Sequence, residues 1–202
     1  MKTIRILRST VIMGMAALLF TSCAKLPQEE IDAANAAIAE AQTAGADVYV
    51  SESFVALQDS MNAVMEAVEV QNSKFFKNFT AEKEGLANVT ALAQNVRQQS
   101  ETRKEELKQE ITNTIAEIKT LLEANNQLIT EAPKGKEGTA AIEAIKAELA
   151  AIETSVSEAT ASLEQGELMA SLDKARAAKE KASAINAELQ EVIAKYKANV
   201  RR

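Results

Sequence analysis

Few residues in this 202-residue chain have the types and neighbours that chemistry requires. His is absent, which removes the commonest general base and the commonest metal ligand. A nucleophilic Ser or Thr would therefore have no imidazole beside it to take its proton. The single Cys, Cys23, cannot close an intramolecular disulfide or build a cysteine-based zinc site. Carboxylate pairs such as Glu29-Glu30 and Glu105-Glu106 are adjacent in sequence and point apart on a helix, so they read as solvated faces. No Gly-rich phosphate loop is present. The expectation is a non-enzyme with no catalytic, cofactor-binding or metal-binding residues. Two features remain that single out an interaction: Cys23 itself, and the aromatic group Phe75, Phe76 and Phe79.

Cys23 stands out by position. Lys2, Arg5 and Arg8 form a positive segment, and Val11 to Phe20 is an apolar run of ten residues. A bilayer core needs about 20 apolar residues as helix, so the run is too short to span and residues 1–22 read as a secretion signal. Phe20-Thr21-Ser22-Cys23 resembles a bacterial lipobox, with Phe where Leu is usual. The resemblance implies cleavage before Cys23, a diacylglycerol on its thiol, and an acyl chain such as palmitate on its new amine. The alternative is an ordinary secretory signal in which Cys23 is incidental. Each buried methylene adds about 0.8 kcal/mol and stable anchoring takes more than one chain, so the lipid set that the resemblance implies would hold the protein permanently at a membrane. Ala24 follows the Cys, with no Asp to mark inner-membrane retention by the enteric sorting pattern, and this points to the outer membrane. Some Bacteroidetes lipoproteins carry an acidic run directly after the Cys that directs surface display. Here the acids begin only at Glu29, which favours the periplasmic face over surface display.

Composition sets the fold class. Low Gly and Pro (6 and 2 residues), 3% aromatics and abundant Ala, Glu, Lys and Leu argue for an all-α protein, of one domain or two small ones. Without residues 1–22 the chain keeps 20 bases and 29 acids, a net charge of −9. Such a chain is expected to be a poor nucleic-acid binder and to gain nothing from anionic lipid heads.

Apolar periodicity then places five helices. Pro27 is suited to opening the first, with Glu29, Glu30 and Asp32 against its positive dipole end and Ile31, Ala34, Ile38 and Ala41 on its buried face. It should stop at Gly45. Val48-Tyr49-Val50 reads as an apolar connector, and Ser51 with Glu52 as a cap for the second helix. That helix carries Phe54, Leu57, Met61, Val64 and Val68 in alternating spacings of three and four. A turn is expected around Gln71-Asn72-Ser73-Lys74, although the phase nearly continues through Phe75 and Phe79 and leaves an unbroken helix open.

The third helix, about 79–131, would extend roughly 80 Å at 1.5 Å per residue. Leu86, Val89, Ala93 and Val96 form its first stripe; Leu107, Ile111, Ile115, Ile118, Leu122 and Ile129 form its second. Between them, Arg97 to Glu106 holds no apolar residue and reads as a solvated connecting helix that can flex. Pro133, Gly135 and Gly138 make the clearest break. The fourth helix follows from about Thr139 with Ile142, Ile145, Leu149, Ile152, Val156, Ala159 and Leu163 in register, ending at Gln165-Gly166. The fifth repeats Leu168, Ala175, Ala182, Leu189 and Tyr196 every seven residues, with Ala178, Ile185 and Val192 on the same face. Residues 138–167 carry net −5 and residues 168–202 net +4, which favours an antiparallel pairing of the last two helices.

The expected architecture is an elongated antiparallel helical bundle. It comprises a lipidated tether at 23–27, an N-terminal bundle at 28–100 and a C-terminal coiled-coil hairpin bundle at 101–202. These are two small three-helix bundles sharing the long helix, because each stripe exposes side chains worth about 1.5–3 kcal/mol apiece if left in water.

Within this frame, Ala34, Ala37, Ala41, Gly45-Ala46, Tyr49-Val50-Ser51-Glu52 and Phe54 resemble an Ala-rich helical domain of unknown function found in Gram-negative envelope lipoproteins. Ser51 stands where that family prefers Pro and Phe54 where it prefers Leu. The resemblance covers about a third of the chain, and implies a lipid-anchored envelope role and no activity. Lys195-Tyr196-Lys197 resembles the end of the murein lipoproteins, which join peptidoglycan through a C-terminal Lys; this chain ends in Arg201-Arg202, so no covalent attachment is expected. Asp59-Ser60-Met61 matches a short O-glycosylation pattern, against which stands the predicted core position of Met61. Phe75, Phe76 and Phe79 hold three of the five Phe, and read either as a plug at the corner between the second and third helices or as an exposed contact for a protein partner. The functional expectation is a periplasmic spacer or docking scaffold of the envelope. Its partners would be the membrane, through lipid, and an envelope protein, and self-association through the heptad seams is an option. The alternative is a client- or ligand-holding helical module.

Overall fold

The computed structural model describes residues 25–133 and 136–200, with the side chains of residues 136, 137 and 200 excepted. Residues 1–24, which include the segment expected to be a signal and Cys23, residues 134–135 and Arg201-Arg202 lie outside them. The described residues form an all-α helical bundle with six helices: α1 (Gln28–Thr43), α2 (Ala46–Tyr49), α3 (Ser51–Asn72), α4 (Thr80–Glu131), α5 (Lys136–Glu164) and α6 (Leu168–Val200). The chain divides into two compact units, one reaching to Gln98 and the other starting at Gln99, and α4 contributes to both.

In the first unit Pro27 occupies the N-cap of α1, and its carbonyl accepts from the Ile31 N–H at 3.0 Å. Ile31, Ala34, Ala37 and Ala41 are buried, and Ile38 is only partly so. Small residues on that face let the neighbouring helices come close. Gly45 ends the turn after α1 with φ 78, a left-handed conformation that costs a side-chain-bearing residue about 1–2 kcal/mol. The stretch expected as a connector is instead the single-turn helix α2, closed by Val50 N–H to the Ala46 carbonyl at 3.0 Å. The expected Ser51 cap does not form. Val50 takes the N-cap position, its carbonyl accepting from Phe54 N–H at 3.0 Å, and Ser51 is already the first helical residue.

α3 buries Phe54, Leu57, Met61 and Val68, with Val64 half-buried against them. The first part of α4 adds Leu86, Val89, Ala93 and Val96, the predicted stripe in full. Lys83 pairs with Glu30 at 2.6 Å and Arg97 with Glu40 at 3.5 Å, so α4 runs parallel to α1, and α3 runs against both. The hydrogen bond from Lys83 holds the Glu30 carboxyl below its ordinary pKa.

In the second unit, α4 buries Leu107, Ile111, Ile115, Ile118, Leu122 and Ile129, again as the spacing predicts. It also buries Ser100, Thr114 and Asn125. The polar stretch 97–106 is helical throughout, with i,i+3 ion pairs Arg103–Glu106 and Lys108–Glu105 at 3.1 and 2.7 Å. α5 begins at Lys136, three residues before the expected start, and buries Leu149, Ile152, Val156 and Ala159. Gly166, with φ 80, turns the chain into α6, and the Glu167 N–H closes back on the Ser162 carbonyl at 2.9 Å. Beyond the turn the Ser171 hydroxyl donates to the Ala159 carbonyl at 2.7 Å, seating α6 antiparallel on α5.

Two expectations for α6 are corrected. Val192 and Tyr196 are 44% and 49% exposed, and Ile193 takes the buried position. A strict seven-residue repeat drifts about 20° per heptad on a straight helix, so the seam steps from Leu189 to Ile193. The charge argument also finds a different partner. Arg176, Lys179 and Lys197 pair with Glu110, Glu117 and Glu131 of α4, which α6 follows in parallel. The α5–α6 pairing itself rests on the turn and on the apolar seam.

Candidate functional site

α3 ends at Asn72 and α4 starts at Thr80, so the chain breaks helix over Ser73–Phe79 and the unbroken-helix alternative falls. The corner is held by its polar residues. Gln71 Nε2 donates to the Asn78 carbonyl at 2.6 Å, and Asn78 Oδ1 accepts from the Thr80 N–H at 3.1 Å and its hydroxyl at 2.8 Å, satisfying an orphan donor of α4. Lys77 Nζ donates to Asn72 Oδ1 at 2.6 Å, and Lys74 Nζ to Gln71 Oε1 at 2.7 Å. Both acceptors are neutral amide oxygens rather than carboxylates.

The three aromatic residues separate here. Phe79 is 2% exposed and joins Leu86 and Val89 in the core, where it acts as the corner plug. Phe75 and Phe76 are 91% and 80% exposed, and pack edge-to-face on each other with ring centroids 5.0 Å apart. Neither ring is needed to fix the loop, since Gln71, Asn72 and Asn78 do that. The exposed pair sits between two lysines, and residues 70–81 contain no acid.

Because α1 and α4 run in parallel, the Ser73–Phe79 loop lies at the same end of the first unit as the start of α1. Lys25 and the 42%-exposed Leu26 precede that start.

The remaining chemistry-bearing residues are dispersed. Glu105 and Glu106 pair with Lys108 and Arg103, and line an open depression with Gln109, Glu110 and Asn113 along a single helix. Among the described residues no group of three or more acidic or Cys side chains is placed to hold a metal ion, and no helix is long and apolar enough to cross a membrane. The Ser60 hydroxyl donates to the Ala56 carbonyl of its own helix at 2.8 Å, and Met61 beside it is buried. Lys197 is engaged with Glu131 and Lys195 with Glu191, whose carboxyl is lowered in pKa by that hydrogen bond.

Asn125 is a functional-looking polar residue that apolar periodicity does not single out. It is fully buried in the α4–α6 seam, donating to the Ala182 carbonyl at 2.9 Å and accepting from Asn186 Nδ2 at 2.7 Å. Its position, three residues after Leu122 and four before Ile129, was the available signal.

Comparison with protein-family models, with curated proteins and with solved structures gave no match. The fold therefore defines the class, an all-α helical bundle, and function has to be argued from the residues.

Proposed function

We propose that this chain is an envelope lipoprotein, held by lipid on Cys23 at the outer membrane with its helices on the periplasmic side, acting as a non-enzymatic spacer or docking scaffold. The observation that carries the reading is the apolar run Val11 to Phe20 placed just before the chain's only Cys. Lipid fixes one end, and the helices present contacts at a distance from it. Buried stripes in both units suit this role, since they leave mainly charged and polar helix faces toward water. A client-holding module would instead present its apolar residues along a continuous groove, and the exposed large apolar residues of the helices are spread over α2 (Val48), α3 (Val55, Val70), α4 (Leu92) and α6 (Met169, Val192, Tyr196).

The test is metabolic labelling with a tagged fatty acid in cells making the parent chain and Cys23→Ser. The parent should take the label and sediment with outer membranes. The variant should stay unlabelled and unprocessed by the lipoprotein-specific peptidase. A Cys23→Ser chain cleaved and released as efficiently as the parent would overturn the proposal.

A further inference from the structure

We propose that the Ser73–Phe79 corner is a second membrane contact, in which Phe75 and Phe76 enter the interface of an anionic phospholipid leaflet and Lys74 and Lys77 stay at the headgroups. It deepens the lipoprotein reading and rests on it for the identity of the leaflet. Four observations converge. Both rings are almost fully exposed although the loop that carries them is hydrogen-bonded in place, so no folding requirement keeps them on the surface. They are flanked by cations whose stems can lie along apolar surface while the ammonium groups stay wet. The loop itself carries Lys74 and Lys77 and no acid over residues 70–81, while Glu29, Glu30, Glu69 and Glu82 stand on the helices at the same end, so the positive charge that suits an anionic surface is confined to the loop. The loop also shares its end of the first unit with the start of α1.

Chain length ties the last point to Cys23. Four residues separate Cys23 from Gln28, five steps with a reach of at most about 18 Å, so lipid on Cys23 would hold the Phe pair near the surface it anchors to. Area argues against a folded protein as the occupant. Two aromatic side chains offer about 300–500 Å², whereas a stable interface buries about 800 Å² on each partner. A bilayer asks for no matching shape and accepts a small projecting wedge.

The chain has no Trp, so Phe76→Trp gives a single fluorescent reporter in the loop. Val48→Trp gives a control, since Val48 is 58% exposed in α2 at the opposite end of the same unit. Each protein, isolated from cells with its lipidation read by mass, is mixed with vesicles of equimolar phosphatidylethanolamine and phosphatidylglycerol, with and without brominated acyl chains. The expected result is a shift to shorter wavelength and several-fold stronger bromine quenching for Trp at 76 than at 48, reduced by adding Lys74→Glu and Lys77→Glu.

Lipidated protein with position 76 quenched no more than position 48 overturns the wedge and leaves the anchor standing. Unlipidated protein with position 76 still quenched supports the wedge and removes the anchor. A wavelength shift that grows with protein concentration in the absence of vesicles assigns the pair to a second copy of the chain and overturns the membrane contact.

Discussion

Phe76 and Phe79 lie three residues apart and meet opposite surroundings, and the break at Ser73 is the cause. Had α3 continued, a spacing of four would have placed Phe75 and Phe79 together on its apolar face. With the helix ended at Asn72, only Phe79 is in phase with α4, seven residues before Leu86 and immediately before the first residue of the helix. The sequence marked the cluster as anomalous, yet the division within it depended on where one turn fell. The consequence is measurable. Phe79→Ala should cost about 3–5 kcal/mol, as ring deletions in cores do. Phe76→Ser should stay within about 0.5 kcal/mol of the parent, as surface changes do. Urea midpoints of the two variants decide the matter, and an equal loss would mean that the ring of Phe76 is also structural.

At the scale of elements, apolar spacing located the helices and their buried faces well because each face repeats Leu, Ile, Val or Ala at three and four. It was weak wherever the buried residue is polar or the repeat drifts. Asn125 fills a seam slot that spacing assigns to an apolar residue, and Ile193 replaces Val192 once the drift accumulates. Ser51 looks like the cap of α3 by type, while the backbone puts Val50 in that place. A buried Asn in a helical seam costs stability and selects register, since only one alignment satisfies its amide. Asn125 has both partners on α6, the carbonyl of Ala182 and the amide of Asn186, which fixes how α6 lies along α4. Asn125→Leu should therefore melt at or above the parent temperature and lose uniqueness of pairing. Sedimentation at rising concentration should reveal association beyond that of the parent. A variant that melts well below the parent and associates no more than it does would show that the amide network stabilises rather than selects.

At the scale of the molecule, one helix serves two cores, and the stretch that joins them carries no large apolar side chain. From Arg97 to Glu106 the seam slot is filled by Ser100; Arg97 pairs with Glu40 within the first unit, whereas Arg103 and Glu105 pair along the helix itself. The apolar burial of each unit is therefore its own, Leu57 and Leu86 in the first and Ile111 and Ile118 in the second. A helix without tertiary packing contributes little stability per residue, because helical stability in proteins comes mostly from the packed face. Local opening should follow this division, since regions with separate cores exchange as separate cooperative units. Leu57→Ala removes a side chain that is fully buried in the first unit and should cost about 2–5 kcal/mol there. Hydrogen exchange read by mass on proteolytic peptides should then show protection lost by peptides of 28–96 and kept by those of 107–193. Ile118→Ala should give the reverse pattern. Equal loss across both sets in either variant would mean that the polar stretch transmits folding as strongly as a packed seam, and that the two units melt as one.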